Sequence, residues 1–122
     1  MSVLVAVSES PEGVAALTAG VAEAQLLDTD LVVVNLSVSK VDVSTVPSGV
    51  DVEVVYRHGG ADRDPVEVVL DEIRDRGVQR LVIGLKRRSP VGKALLGSIS
   101  QRLLIDAPVP VLAVKLGEGQ GG

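Results

Sequence analysis

Five short apolar runs punctuate the chain: Val3–Val7, Leu31–Leu36, Val50–Tyr56, Leu81–Gly84 and Val109–Val114. Four are nearly continuous in Val, Leu, Ile and Ala, the pattern of parallel strands covered on both faces. The third differs. There Val50, Val52 and Val54 alternate with Asp51 and Glu53, so one face meets water and the strand is predicted at a sheet edge.

Helical patterns lie between the strands. Ser10 then Pro11 reads as an N-cap and first helical residue, and Val14, Leu17, Val21 and Ala24 recur at helical spacing behind them. Asp64, Pro65 and Glu67 repeat this start with capping-box spacing; Val66, Val69, Leu70 and Ile73 form the apolar stripe, and Gly77 stops the helix. A third helix is predicted to start with Ser98 as its cap and Gln101 in its first turn, to carry Ile99 and Leu103 inward, and to end before Pro108. The order β-α-β-β-α-β-α-β predicts an α/β fold, a doubly wound parallel sheet of five strands with helices on both faces. Residues 38–49 show no clean helical period, but they are just enough for a parallel crossover, which takes about a dozen residues. One domain over residues 1–116 and a frayed glycine-rich tail over 117–122 complete the expected organisation.

The last strand is apolar on both faces, comes at the end of the chain and contains Pro110, which suits an edge. An uncovered apolar edge invites pairing, so a homodimer through Val109–Val114 is expected; coverage by the tail or a helix is the other solution.

Composition narrows the function. The 122 residues contain 25 valines, one aromatic residue (Tyr56), one histidine (His58) and no cysteine. That excludes disulfides, thiol catalysis and thiolate metal sites, and leaves little imidazole for a metal or a triad. Base stacking on aromatic platforms is missing and the net charge is −4, so nucleic acid is not an expected partner. The start MSVLVAV has no basic region before its short apolar run, and no stretch has the length of a membrane span, so a cytoplasmic location without membrane association is expected.

The charge is unevenly spread. Between Arg76 and Ile105 there is no acidic residue, while Arg76, Arg80, Lys86, Arg87, Arg88, Lys93 and Arg102 give +7; the remaining residues carry 5 basic and 16 acidic side chains. A basic segment in an acidic protein steers a small anion to one place.

Ligands of such sheets bind beyond the carboxyl ends of strands where strand order reverses. If the first and fourth strands are neighbours there, the candidate loops are Ser8–Ser10 and Gly84–Ser100. The second reads GLKRRSPVGKALLGSIS. Gly84 lets backbone approach a ligand, Lys86, Arg87, Arg88 and Lys93 supply cations, and Gly97-Ser98 opens a helix whose first N–H groups face outward. Ser98 and Ser100 add hydroxyls. The same residues also fit a plain cap beside a solvated basic loop. No Walker loop is present, since Ala94 follows Gly92-Lys93 and Arg87 stands where the opening glycine belongs, and no GxGxxG follows the first strand.

The segment resembles the universal stress protein family. Its nucleotide-binding members carry glycine, two residues, glycine, nine residues, glycine and then Ser or Thr after the fourth strand. Gly84, Gly97 and Ser98 match, while Arg87 replaces the middle glycine. The ending APVPVLAVK and an opening of the type VLVAV before a Ser-containing turn are also typical, so the resemblance spans essentially the whole chain. It implies strand order 3-2-1-4-5, a Rossmann-like fold, a dimer through the fifth strands and, in many members, bound ATP. By position, the triphosphate is expected against Gly84, Gly97, Ser98 and Ser100 with Ile83 and Ile99 beside it, and the adenosine near Ala6, Ser8 and Leu36. Arg87 and Arg88 join the expected ligands of the phosphates. AMP and ADP are alternative ligands, and Mg²⁺ would accompany ATP. Two departures stand out: Ser8 replaces the usual Asp of nucleotide binders, and Arg87 either clamps phosphate with its guanidinium fork or fills the space that a glycine leaves.

Other chemistry is thinly represented. His58 reads as a polar loop residue, Asp64 as a cap rather than half of a dyad with Asp62, and Glu9 and Glu12 as the acidic start of a helix, with Mg²⁺ ligation their other use. No nucleophile–base–orienter set is apparent. The expected function is an adenine-nucleotide-binding stress sensor or regulator. A dimeric interaction module that has lost nucleotide binding is the alternative, and phosphate or adenylate transfer rests only on the fold's nucleotide-binding habit.

Overall fold

The computed structural model describes residues 1–8, 11–37, 40–56, 64–85 and 97–115, leaving out the side chains of Pro11 and Glu12. Among the described residues the elements are, in order, β1 (Ser2–Val7), α1 (Pro11–Leu27), β2 (Asp30–Asn35), β3 (Val52–Tyr56), α2 (Pro65–Arg76), β4 (Val78–Gly84), α3 (Ser98–Asp106) and β5 (Val111–Val114). They build one sheet in the order β3-β2-β1-β4-β5, with every pairing parallel. This is the expected 3-2-1-4-5 order. The alternating third strand does lie at an edge, and β1 and β4 are neighbours, so the strand order reverses between them.

The two faces of the sheet are written in alternate residues, because successive side chains of a strand point to opposite sides. Leu4 and Ala6, Val32 and Val34, and Leu81 and Ile83 pack with α2 and α3. Val3, Val5 and Val7, with Leu31, Val33 and Val82, pack with α1. Since both faces are covered, the central strands have no polar face to show, which is why their sequences read as unbroken apolar runs. Full burial of each such aliphatic side chain contributes about 1.5–3 kcal/mol.

Helix α1 corrects one expectation. Val14 is 67% exposed, and the buried face is made of Ala16, Leu17 and Ala24 together with Gly13 and Gly20. A Cβ on Gly20 would come within 3.1 Å of Val5 Cβ and 3.4 Å of Leu31 Cδ1. The helix therefore sits low on a valine-rich sheet, and small residues, not the largest apolar ones, define its inner side. Of the apolar stripe, Leu17 and Ala24 are buried and Val21 packs against the core, and only Val14 turns out to solvent.

Helix α2 matches expectation closely. Asp64 accepts a hydrogen bond from Val66 N–H at 3.0 Å, and Gly77 closes the helix in the left-handed region at φ 63°, ψ 42° with its N–H on Ile73 C=O. Strand β4 begins at Val78, earlier than the apolar run suggests, because Gln79 and Arg80 are tolerated at its entry. Strand β3 begins at Val52 and β5 at Val111, later than expected.

The crossover from β2 to β3 contains no helix among its described residues. Turns replace it: Asp42 accepts from Ser44 N–H at 2.9 Å, Val46 N–H donates to Val43 C=O and Val50 N–H to Pro47 C=O, both at 3.0 Å. Val41, Val46 and Val50 pin the segment to the α1 side of the core. Among the described residues no helix is long and apolar enough to cross a membrane.

Candidate functional site

The carboxyl ends of β1, β2 and β4 converge with the start of α3 around a cavity of about 270 Å³. Its walls are Ala6, Ser8, Leu36, Ser37, Gly84, Ile99, Ser100 and Leu103. Six residues expected at a ligand site from sequence thus meet in one place: Ala6, Ser8, Leu36, Gly84, Ile99 and Ser100.

Hydrogen bonds fix these walls. Leu36 N–H donates to Val7 C=O at 2.9 Å, prolonging the β1–β2 ladder by a rung. Asn35, a buried polar residue, accepts from Ser37 N–H at 2.9 Å and from Ser37 Oγ at 2.7 Å. That Asx-turn holds Leu36 and Ser37 at the rim. Leu85 N–H donates to Val114 C=O at 2.8 Å, extending the β4–β5 pairing just past Gly84. Ser100 Oγ lies 3.4 Å from Gly84 C=O, a long hydrogen bond tying α3 to the strand end.

Gly13 bears on the cavity through Ser8. A Cβ there would lie 2.2 Å from Ser8 C=O oxygen. Only a residue without a side chain lets α1 approach the Ser8 backbone this closely, so the position of Ser8 depends on a glycine five residues later.

The start of α3 is electrostatically open. Gly97, not Ser98, is the N-cap, with extended backbone at φ −68°, ψ 164° and no side-chain cap. Gln101 N–H is bonded to Gly97 C=O at 2.9 Å, so Ser98 is the first helical residue. Its first turn carries no acidic residue. The N–H groups of Ser98, Ile99 and Ser100 precede the first intrahelical bond and, with the helix dipole, favour an anion.

Not every expected residue reaches the cavity wall. Ile83 is almost fully buried and packs in the core beneath the site. Gly97 and Ser98 stand at the helix start, next to Ile99 and Ser100 but outside the wall. Arg87 and Arg88 lie outside the described residues, as do Glu9, Ser10, His58, Asp62, Lys86, Lys93 and the tail 117–122. Ser37 and Leu103 were missed. An Asn two residues before a Ser at a strand end was the available signal for Ser37.

The basic segment is partly dismantled by the fold. Arg76 pairs with Glu53 at 2.8 Å and with Glu72 one helical turn back; both carboxylates hold its guanidinium well above its ordinary pKa. Arg80 pairs with Glu23 at 2.7 Å, at the amino end of the sheet. Arg102 binds Asp64 at 3.0 Å, and that contact raises its pKa. Three of the seven cations therefore belong to structural pairs rather than to an anion site, because carboxylates distant in sequence reach them in space.

A doubly wound α/β protein with a cavity at the switch point and an uncapped helix start is the class these features define. A model of the universal stress protein family matches residues 44–115. The chain is 41% identical over 125 residues to a universal stress protein of Mycolicibacterium smegmatis, covering 93% of this chain and 96% of the relative. It belongs to the universal stress protein family. Solved structures agree on the fold. A universal stress protein of Archaeoglobus fulgidus superposes with TM-score 0.67 at 23% identity, covering 94% of this chain and 98% of the other. Another from that organism, solved in complex with dAMP, gives 0.60 at 18% identity over 94% and 98% of the two chains.

Proposed function

We propose that this protein binds an adenine nucleotide at the β1–β4 switch point and acts as a dimeric, cytoplasmic regulator in a stress response. The cavity between Ala6, Ser8, Leu36, Gly84, Ile99 and Ser100 carries the reading. Its volume of about 270 Å³ is near the lower bound for ligand pockets, roughly 300 Å³, which suits a nucleoside with its phosphates reaching out past Ser98. The dAMP complex of the Archaeoglobus protein supports the ligand class.

ATP is the ligand of first choice, with Mg²⁺ on its phosphates; the uncapped α3 start favours the higher charge of a triphosphate. The adenine would rest on aliphatic walls, Ala6, Leu36 and Ile99, and hydrogen bond to backbone, since no aromatic residue lines the cavity. Dimerisation is assigned to β5, one of the two unpaired sheet edges, on which the apolar Leu112 is exposed.

Mass spectrometry of small molecules released from the purified protein, followed by calorimetric titration with ATP and AMP, tests the ligand. Co-purified nucleotide or a saturable heat is the expected result. No nucleotide and no heat at millimolar ligand would discard this reading in favour of an interaction module. Light scattering on Leu112→Lys tests the dimer: wild type should be dimeric and the variant monomeric.

A further inference from the structure

A second, larger cavity of about 360 Å³ lies on the α1 side of the sheet. Its walls comprise Val7, Ser8, Val14, Leu17 and Thr18 on one side, and Ser37, Lys40, Val41, Asp42 and Thr45 on the other. Among the described residues only Ser8 and Ser37 also belong to the cavity at the switch point, so the two hollows sit back to back across the end of β1 and β2.

Three observations define what the second cavity suits. Its floor is aliphatic: Val7 and Leu17 are buried and Val41 is partly so, while Val14 leaves an apolar surface at the rim, 67% exposed. Lys40, at the edge, has no carboxylate partner within ion-pair distance among the described residues. Asp42 is already committed to its own turn: Ser44 holds it through side chain and backbone N–H, and those bonds keep its pKa low. Among the described wall residues one cation is thus available to a ligand, and the negative charge of Asp42 opposes a second anionic group. A polyphosphate is poorly served, whereas an apolar body with a single carboxylate matches floor and rim together.

We infer that the cavity between α1 and the β2–β3 crossover is a second small-molecule site, taking an apolar monocarboxylate with its acid group on Lys40. The site is independent of the nucleotide reading and stands whether or not ATP binds. It gives a role to Val14, an exposed aliphatic residue that the core does not use, and to a crossover that replaces a helix with an open turn.

Octanoate is the probe, with octanol as its uncharged counterpart, followed by calorimetry and amide shifts of the isotopically labelled full chain. Saturable octanoate binding is expected, with the largest shifts at Thr18, Val41 and Thr45. Lys40→Gln should weaken octanoate by about tenfold, the effect of one charge-assisted hydrogen bond, and leave octanol unchanged. Thr18→Trp, at an exposed helix position, should fill the hollow and abolish both while leaving whatever ATP binding the wild type has unchanged. Absence of saturable octanoate binding at millimolar concentration overturns the proposal. So does equal octanoate affinity of Lys40→Gln and wild type, and so does loss of ATP binding in Thr18→Trp, which would hand the cavity to the nucleotide.

Discussion

Helices α2 and α3 both start at the carboxyl end of the sheet, yet their first turns are finished in opposite ways. At α2, Asp64 caps the free N–H groups, Pro65 removes one of them, and Glu67 supplies negative charge to the dipole. The same Asp64 receives Arg102 from α3, binding the two helices together. At α3, Gly97 offers no side chain and the first turn has no acid. The helix that satisfies itself stabilises the fold, and the helix left unsatisfied borders the cavity. A missing cap costs little when glycine fills the position, only a few tenths of a kcal/mol relative to Asn or Asp, so stability gives little reason to add one.

Exchanging the character of the two starts gives the largest expected effect. Gly97→Asp would write the α2 solution onto α3, capping the helix and placing a carboxylate where phosphate is proposed to lie. Thermal stability should hold or rise slightly, while ATP affinity measured by calorimetry falls by about a hundredfold through lost hydrogen bonds and repulsion. Unchanged affinity would remove α3 from the phosphate site.

Gly13→Ala reaches the cavity through Ser8, one of its wall residues. The new Cβ would collide with Ser8 C=O, and relieving that contact must shift α1 or Ser8, costing about 1–3 kcal/mol in a denaturant titration. Nucleotide affinity should fall alongside stability, in contrast to Gly97→Asp, where the two separate. Asp64→Ala sharpens the comparison from the α2 side. Loss of the cap and of the Arg102 partner should cost about 1 kcal/mol, lowering Tm by roughly 4 °C and leaving ATP affinity near that of wild type.

Much of this arrangement is legible in the sequence. The valine runs, the alternating Val52 and Val54 and the Asp64-Pro65 start identified strands, an edge and a helix, since each depends on neighbours within a few residues. Of the six expected cavity residues, Ser8, Gly84 and Ser100 follow from strand ends and loop chemistry, whereas Ala6, Leu36 and Ile99 come from the family resemblance. Errors arose where distant groups decide. Val14 was placed inward because periodicity measures hydrophobicity and not how closely a helix can approach a sheet. Arg76, Arg80 and Arg102 were counted with an anion site because Glu53, Glu23 and Asp64 lie at least 23 residues away in the chain.

By itself the sequence determined the element order, the doubly covered sheet and the glycine–serine start of α3, because apolar period, cap chemistry and turn residues act locally. Only the tertiary structure decided which cations stay available, that Val14 leaves the buried face of α1 while glycines and alanines join it, and that Ser8 and Ser37 stand between two hollows. Those outcomes depend on through-space pairing and on the distance between backbones, and neither is written in the spacing of residues along the chain.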